Sequence, residues 1–256
     1  MENIKSKPSL LDRVHRYEEN RLMIAEKIFK KTKTNTILCD NVEMPTEVVI
    51  LRNVPPHPNI AALLYWMRIR PEEWMIMFEC YKLNLRDYLN DIAKENVELI
   101  EKQAKKIMRQ LLFACKHLED YGIYHRNLKL ENIVIDIDSN IKLVNFDLAI
   151  EAKQNEAYEI IGSIVPPEMY NRHDIYRRAT AQVWVLGNIF YQLFERIEPY
   201  PKERVIAKAL GPVMFSKDNR PSEECVLLME SMLDADPNRR PQCIEDVLAH
   251  FWIRNG

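Results

Sequence analysis

The chain has 256 residues, 47% of them hydrophobic, and a formal net charge of −2. This allows a sizeable core in one or two lobes and gives no global pull toward nucleic acid or an acidic membrane surface, so neither is expected as a partner. Five cysteines (Cys39, Cys80, Cys115, Cys225, Cys243) lack any CxxC pair, a pattern that fits reduced thiols in a cytoplasmic or nuclear protein better than a secreted disulfide framework.

The first residues, MENIKSKPSLLDRV, are charged and lack the apolar segment of a signal peptide. Residues 20 to 82 read as short strands around one helix. Arg21 to Phe29 alternates as a strand does, and Glu43 to Asn53 suits a short helix beginning after Pro45. The apolar runs Ile60 to Ile69 and Trp74 to Cys80 flank Arg-Pro-Glu-Glu, a turn signal. From Leu83 the character turns helical. Ala104, Ile107, Leu111, Cys115 and Leu118 recur in steps of three and four through Ile100 to Tyr121, and Gly122 marks the end.

Ile133 to Asp136 and Ile141 to Val144 read as strands around the turn Asp138-Ser139-Asn140. Helices at Ala181 to Arg196, Ser222 to Leu233 and Ile244 to His250 follow. The uncharged run Thr180 to Phe194 has 15 residues, short of the roughly 20 that span a bilayer, and is read as a buried helix. Two basic stretches, Glu101 to Arg109 and Tyr170 to Arg178, are read as solvated faces. A strand-rich front and a helical back give an α+β protein of two lobes joined near Glu79 to Leu83.

The run YHRNLKLENIVID contains His125-Arg126-Asn127, then Lys129 and Asn132. It resembles the catalytic loop of eukaryotic protein kinases, and with Asn145-Phe146-Asp147 and a closing PNRRP the resemblance extends from about Val14 to Trp252. The pieces MPTEVVILRNV, Pro166-Pro167-Glu168 and AQVWVLG are most similar to the Pim serine/threonine kinases. The resemblance implies one two-lobed kinase domain over residues 1–256, with a β-rich N-lobe at about 14–79, a hinge at 80–82 and a helical C-lobe at 83–256.

It also implies ATP as cofactor. Lys27, in Ile24-Ala25-Glu26-Lys27, matches the phosphate-binding lysine, and Glu47, 20 residues on, its ion-pair partner. Ala25 and Val134 match residues that sandwich the purine, Phe78 one that narrows the back of its pocket, and Glu79 to Tyr81 the hinge. Lys129 matches the lysine that steadies the transferred phosphate, and Asn132 a metal ligand. His125, Phe146 and Leu51 match an apolar column joining the lobes, and Glu168 and Arg240 a buried ion pair. The alternative for Lys27 is a solvated strand lysine among Lys30, Lys31 and Lys33, against which motif and spacing together favour the phosphate role, while by residue type Ala25, Phe78 and Val134 are equally plain core.

Three departures bear on activity. Asn127 stands where the family has its catalytic aspartate; an amide has no useful basicity near neutral pH, and general-base help is typically worth about 10² to 10⁴ in rate. Asn145 stands where an aspartate binds magnesium, a hard cation usually held by one or two carboxylates plus phosphate oxygens. Asn132 and Asn145 together therefore make a weak metal site, with Asp147 read as a turn residue rather than a substitute ligand. Third, no glycine precedes Lys27. KSKPSLLDRV occupies the place of the loop whose glycines let backbone N–H groups close over phosphates. Gly162 to Glu168 is also shorter than the Pim pattern, and Tyr158 and Ser163 are read as ordinary loop hydroxyls.

The expectation is a pseudokinase that acts by binding another protein, either a kinase or a kinase substrate. Two alternatives stay open. One is a weak serine/threonine kinase working through Lys27, Glu47, Lys129 and Asn132, with Glu131 meeting a basic substrate residue. The other is an ATP-binding switch without phosphotransfer.

Overall fold

A computed structural model of the chain describes residues 14–19, 22–30, 36–39, 42–92, 97–151, 164–170, 178–217 and 220–255. Strands β1 (Val14–Glu19) and β2 (Leu22–Lys30) pair antiparallel, with Val14 opposite Lys27. The hairpin β3 (Thr36–Cys39) and β4 (Val42–Pro45) leads into α1 (Thr46–Asn53), and a second hairpin, β5 (Leu63–Arg70) and β6 (Glu73–Glu79), completes the front. The main sheet runs β1-β2-β6-β5. Strand β6 alternates as a half-buried strand must, with Trp74, Ile76 and Phe78 turned inward. Helix α1 starts directly after Pro45, as expected, and buries Glu47, Val48 and Ile50.

Residues 80–82 lie between β6 and β7 (Leu83–Asn84). Helix α2 (Leu85–Asp91), absent from the sequence expectation, is capped by Asn84, whose side chain accepts from the Asp87 amide. Helix α3 (Val97–Asp120) ends where Gly122 takes a left-handed φ of 69°. Strand β8 (Ile123–Tyr124) pairs with β11 (Ile150–Glu151), while β9 (Ile133–Ile135) lies between β10 (Ile141–Leu143) and β7.

Helices α4 (Arg178–Glu195), α5 (Lys202–Ile206), α6 (Glu223–Met232), α7 (Ile244–Ala249) and α8 (Phe251–Arg254) form the rest. The uncharged run is indeed a buried helix: α4 has its residues from Thr180 to Phe194 almost wholly in the core. At Gly187 an added Cβ would stand 2.9 Å from Met232 Cβ, so only glycine lets α4 and α6 approach this closely. Among the described residues, no helix is long and apolar enough to cross a membrane.

Two apolar clusters organise the molecule. The larger fills the helical lobe and takes in Ile50 and Val54 from the front lobe. The smaller lies under the main sheet and takes in Val134 and Val144 from the back lobe. Each cluster thus crosses the junction. Late helices are tied to the loop before α4 by Arg240, which meets Glu168 bidentately at 2.8 Å on each side and is fully buried with it. The segment from Lys5 to Asp12, together with Tyr158, Gly162, Ser163 and Asn171 to Arg177, lies outside the described residues.

Candidate functional site

The inter-lobe junction gathers the motif residues. Lys27 projects from β2 and Glu47 from α1; the sheet and helix bring Nζ within 3.0 Å of Glu47 Oε2, and both side chains are buried. The other carboxylate oxygen, Oε1, accepts from the Phe146 backbone N–H at 2.9 Å. One glutamate therefore ties the front-lobe lysine to the back-lobe segment, with a hydrogen bond on each carboxylate oxygen.

From Lys27 a line of hydrogen bonds continues into the back lobe. Nζ donates to Asn145 Oδ1 at 3.1 Å, Asn145 Nδ2 donates to Asn132 Oδ1 at 3.2 Å, and Asn132 Nδ2 donates to the Asn127 carbonyl at 2.7 Å. The polarity of this line is set at its start. An ammonium group only donates, so Asn145 must meet it with oxygen, which aims its NH₂ at Asn132 and turns Asn132's NH₂ toward Asn127. Asn145 holds a φ of 68° and Arg126 one of 58°, left-handed backbone that asparagine enters more readily than most residues.

His125 and Phe146 meet edge to face, ring centroids 4.7 Å apart. His125 Nε2 bonds the Val144 carbonyl at 3.0 Å and Nδ1 accepts from the Asn127 amide at 3.3 Å. Donor and acceptor are both used, so the neutral ring fits, and burial pushes its pKa down to about 4. Leu51 packs against the large core cluster that also contains Phe146.

Asp147 is the largely buried carboxylate next to this line. Its Oδ1 is buried without a hydrogen-bond partner. Burial pushes its carboxyl pKa up; Lys27 opposes this and Glu47 reinforces it. Lys129 is half-buried and precedes the 3-10 turn Leu130–Asn132, where its carbonyl accepts from the Asn132 amide at 3.0 Å.

The residues matched to a purine slot lie together. Ala25, Phe78, Val134 and Val144 belong to one buried cluster, with Ala25 1% and Val134 0% exposed. Glu79 donates its amide to Ala62 at 2.9 Å, and its carboxylate lies 3.0 Å from Lys142. Sequence reasoning missed Lys142. It sits on β10, also donates to the Pro58 carbonyl at 2.9 Å, and stands 5.7 Å from the Tyr81 ring centroid. A lysine between Ile141 and Leu143 on a wholly buried strand was its only signal. Glu131 pairs with Arg86 at 3.1 Å, and Arg86 is held further by Arg196 O and Gln192 Oε1, each at 2.6 Å. Among the described residues no group of three or more His, Cys, Asp or Glu side chains is placed to hold a metal ion.

Comparison with known proteins places this geometry. Residues 13–253 match the family model described as protein kinase domain. The chain is 29% identical over 238 residues to Hormonally up-regulated neu tumor-associated kinase homolog A of Xenopus laevis, covering 89% of this chain and 33% of that protein. It is 28% identical over 246 residues to Maternal embryonic leucine zipper kinase of Xenopus laevis, covering 93% of this chain and 37% of that protein. Serine/threonine-protein kinase PSK2 of Saccharomyces cerevisiae is 28% identical over 168 residues, 65% of this chain and 15% of that protein. The chain thus spans about a third of the length of the two Xenopus relatives. The family match runs through both lobes and the junction between them, and it makes the chain a member of the protein kinase domain family, within the eukaryotic superfamily whose two-lobed fold it has.

Proposed function

We propose that this chain is a Pim-like pseudokinase, a kinase fold that does not transfer phosphate and acts by binding a kinase or a kinase substrate in the cytoplasm or nucleus. The observation that carries the reading is the line from Lys27 through Asn145 and Asn132 to Asn127. Both amide oxygens that a metal would require already accept from protein N–H groups. Asn145 also presents an N–H where a kinase presents a second ligand oxygen. Magnesium is held by carboxylate and phosphate oxygens, so these residues do not fit it. Burial raises the pKa of the Asp147 carboxyl, which works against the charge a metal ligand needs. At position 127 no carboxylate is available to take a proton from an acceptor hydroxyl.

Two further observations support the same reading. Ala25 and Val134 are 1% and 0% exposed and pack in one apolar cluster with Phe78, as plain core residues do. Glu131, which the Pim resemblance assigns to a basic substrate residue, is paired with Arg86. A peptide-array phosphorylation assay with magnesium or manganese tests the proposal, with Lys129→Met as control. It expects no product above the control; product formed by the wild type and abolished in Lys129→Met overturns it.

One observation favours a second reading. The Lys27–Glu47 pair is intact and buried, which keeps the lysine where a nucleotide phosphate would meet it. On this reading the chain binds ATP without metal and uses it as a switch. ATP should then raise the melting temperature even with a chelator present, since a site saturated 100-fold gains roughly 2.7 kcal/mol. No shift at millimolar ATP removes it.

A further inference from the structure

Pro55, Pro56 and Pro58 shape the loop between α1 and β5. Their fixed φ leaves that loop little freedom, and its backbone is stitched to both lobes. Leu143 donates its amide to the Asn59 carbonyl at 2.8 Å and Ala61 donates to the Leu143 carbonyl at 2.9 Å, while the Ala62 carbonyl accepts from the Glu79 amide. Beside this loop, next to the hinge, opens a cavity of about 400 Å³. Its described walls come from the loop itself, from Leu51 of α1, Leu63 of β5 and Glu79 of β6 in the front lobe, and from Lys142 of β10 in the back lobe.

Three polar side chains interrupt these apolar walls. Lys142 has a side chain 8% exposed and lies 3.0 Å from Glu79 Oε2, so the pair brings no net charge. The lysine also donates to the Pro58 carbonyl and stands beside the Tyr81 ring. Glu79 Oε1 has no hydrogen-bond partner among the described residues. His57 has its tautomer fixed: Nδ1 accepts from the Asn59 amide at 3.1 Å, so the proton of the neutral ring sits on Nε2. Burial, His117 and Lys142 hold the ring's pKa below its usual value, which keeps it neutral. Nε2 has no hydrogen-bond partner among the described residues. The cavity therefore offers one N–H donor and one carboxylate acceptor in a setting without net charge.

We propose that this cavity binds a small neutral aromatic molecule carrying a carboxamide. A volume of about 400 Å³ with mostly apolar walls suits a ring. The amide carbonyl accepts from His57 Nε2–H, and the amide NH₂ donates to Glu79 Oε1. A carboxylate in the same place would meet Glu79, and an amidinium would meet Lys142 and the His57 N–H, so either charge is disfavoured. Because the walls belong to both lobes, a bound molecule resists their separation. The cavity shares no residue with the line from Lys27 to Asn127, so it stands independently of whether the chain transfers phosphate.

The experiment is ¹⁹F NMR titration of the full chain with 4-fluorobenzamide, 4-fluorobenzoate and 4-fluorobenzamidinium. The amide should bind saturably, and the two charged analogues should bind at least about tenfold more weakly. His57→Phe keeps a ring but removes the donor, and should weaken the amide about fivefold to tenfold. Ala62→Trp, at an exposed position on the cavity wall, should abolish binding by filling the space, which keeps the test intact if His57→Phe misfolds. No saturable binding of the amide overturns the proposal. So does equal affinity for a charged analogue, or an affinity unchanged in the folded variants.

Discussion

Asn145 Nδ2 lies 3.2 Å from Asn132 Oδ1, so the two side chains that the kinase resemblance matches to metal-ligand positions are bonded to each other. An aspartate at position 145 could not make that bond. Its oxygens would face Asn132 Oδ1 with no hydrogen between them, and the gap would call for a cation or a proton. The amide N–H supplies internally what a bound cation supplies elsewhere in the family.

Asn145→Asp should therefore couple stability to metal. In chelator the variant should lose about 1–3 kcal/mol, the cost of a buried acceptor left without a donor. Magnesium should restore it, while the wild type's melting temperature stays unmoved by magnesium. Thermal unfolding of both proteins with and without magnesium checks this; a variant indifferent to the metal would count against the account.

Removing Lys27 should be costly for folding. Glu47 is buried, and Lys27→Met leaves its carboxylate with only the Phe146 amide. The expected loss is about 3–5 kcal/mol by urea unfolding. The double variant Lys27→Met/Glu47→Leu should lose less than the two single losses summed, because no unpaired charge remains.

The Glu168–Arg240 pair obeys the same rule in a different place. Arg240→Met strands a fully buried carboxylate and should cost about 3–5 kcal/mol. Glu168→Leu added to it should recover part of the loss. Equal destabilisation of single and double variants in urea titrations would contradict a charge-based explanation.

His125 makes the fold sensitive to acid. The folded ring titrates at about 4 and the unfolded ring at 6.5. Between those values the unfolded chain carries a proton that the folded chain does not, so stability is full above pH 6.5 and falls as pH drops toward 4. The full loss is roughly 3 kcal/mol. Urea unfolding at several pH values should give a steeper fall for the wild type than for His125→Phe. Parallel profiles would show that the ring does not carry the effect.

What the sequence disclosed follows a physical divide. Strand β2, helix α1 after Pro45 and the buried α4 were legible because periodicity and proline act locally. Lys27 and Glu47 were legible as a pair because motif spacing places them on facing elements, and the column of His125 and Phe146 for the same reason. The amide line was not. Asn127, Asn132 and Asn145 read singly as lost carboxylates, and only the direction of each side chain reveals that they bond in series. Lys142 and Arg86 escaped notice because their partners, Glu79 and Glu131, are distant in sequence and no local pattern points to them. Helix α2 escaped because its seven residues are too few for a periodic signal.

The left-handed backbone at Arg126 and Asn145 has a consequence for reversibility. Aspartate also tolerates this region better than most residues, so exchanging Asn145 for Asp asks for no new course of the main chain. In the genetic code a single base separates the two amino acids, at position 127 as at position 145. Two point mutations thus separate this site from a pair of carboxylates, and what opposes the change at position 145 is the lost side-chain bond to Asn132, not the course of the main chain.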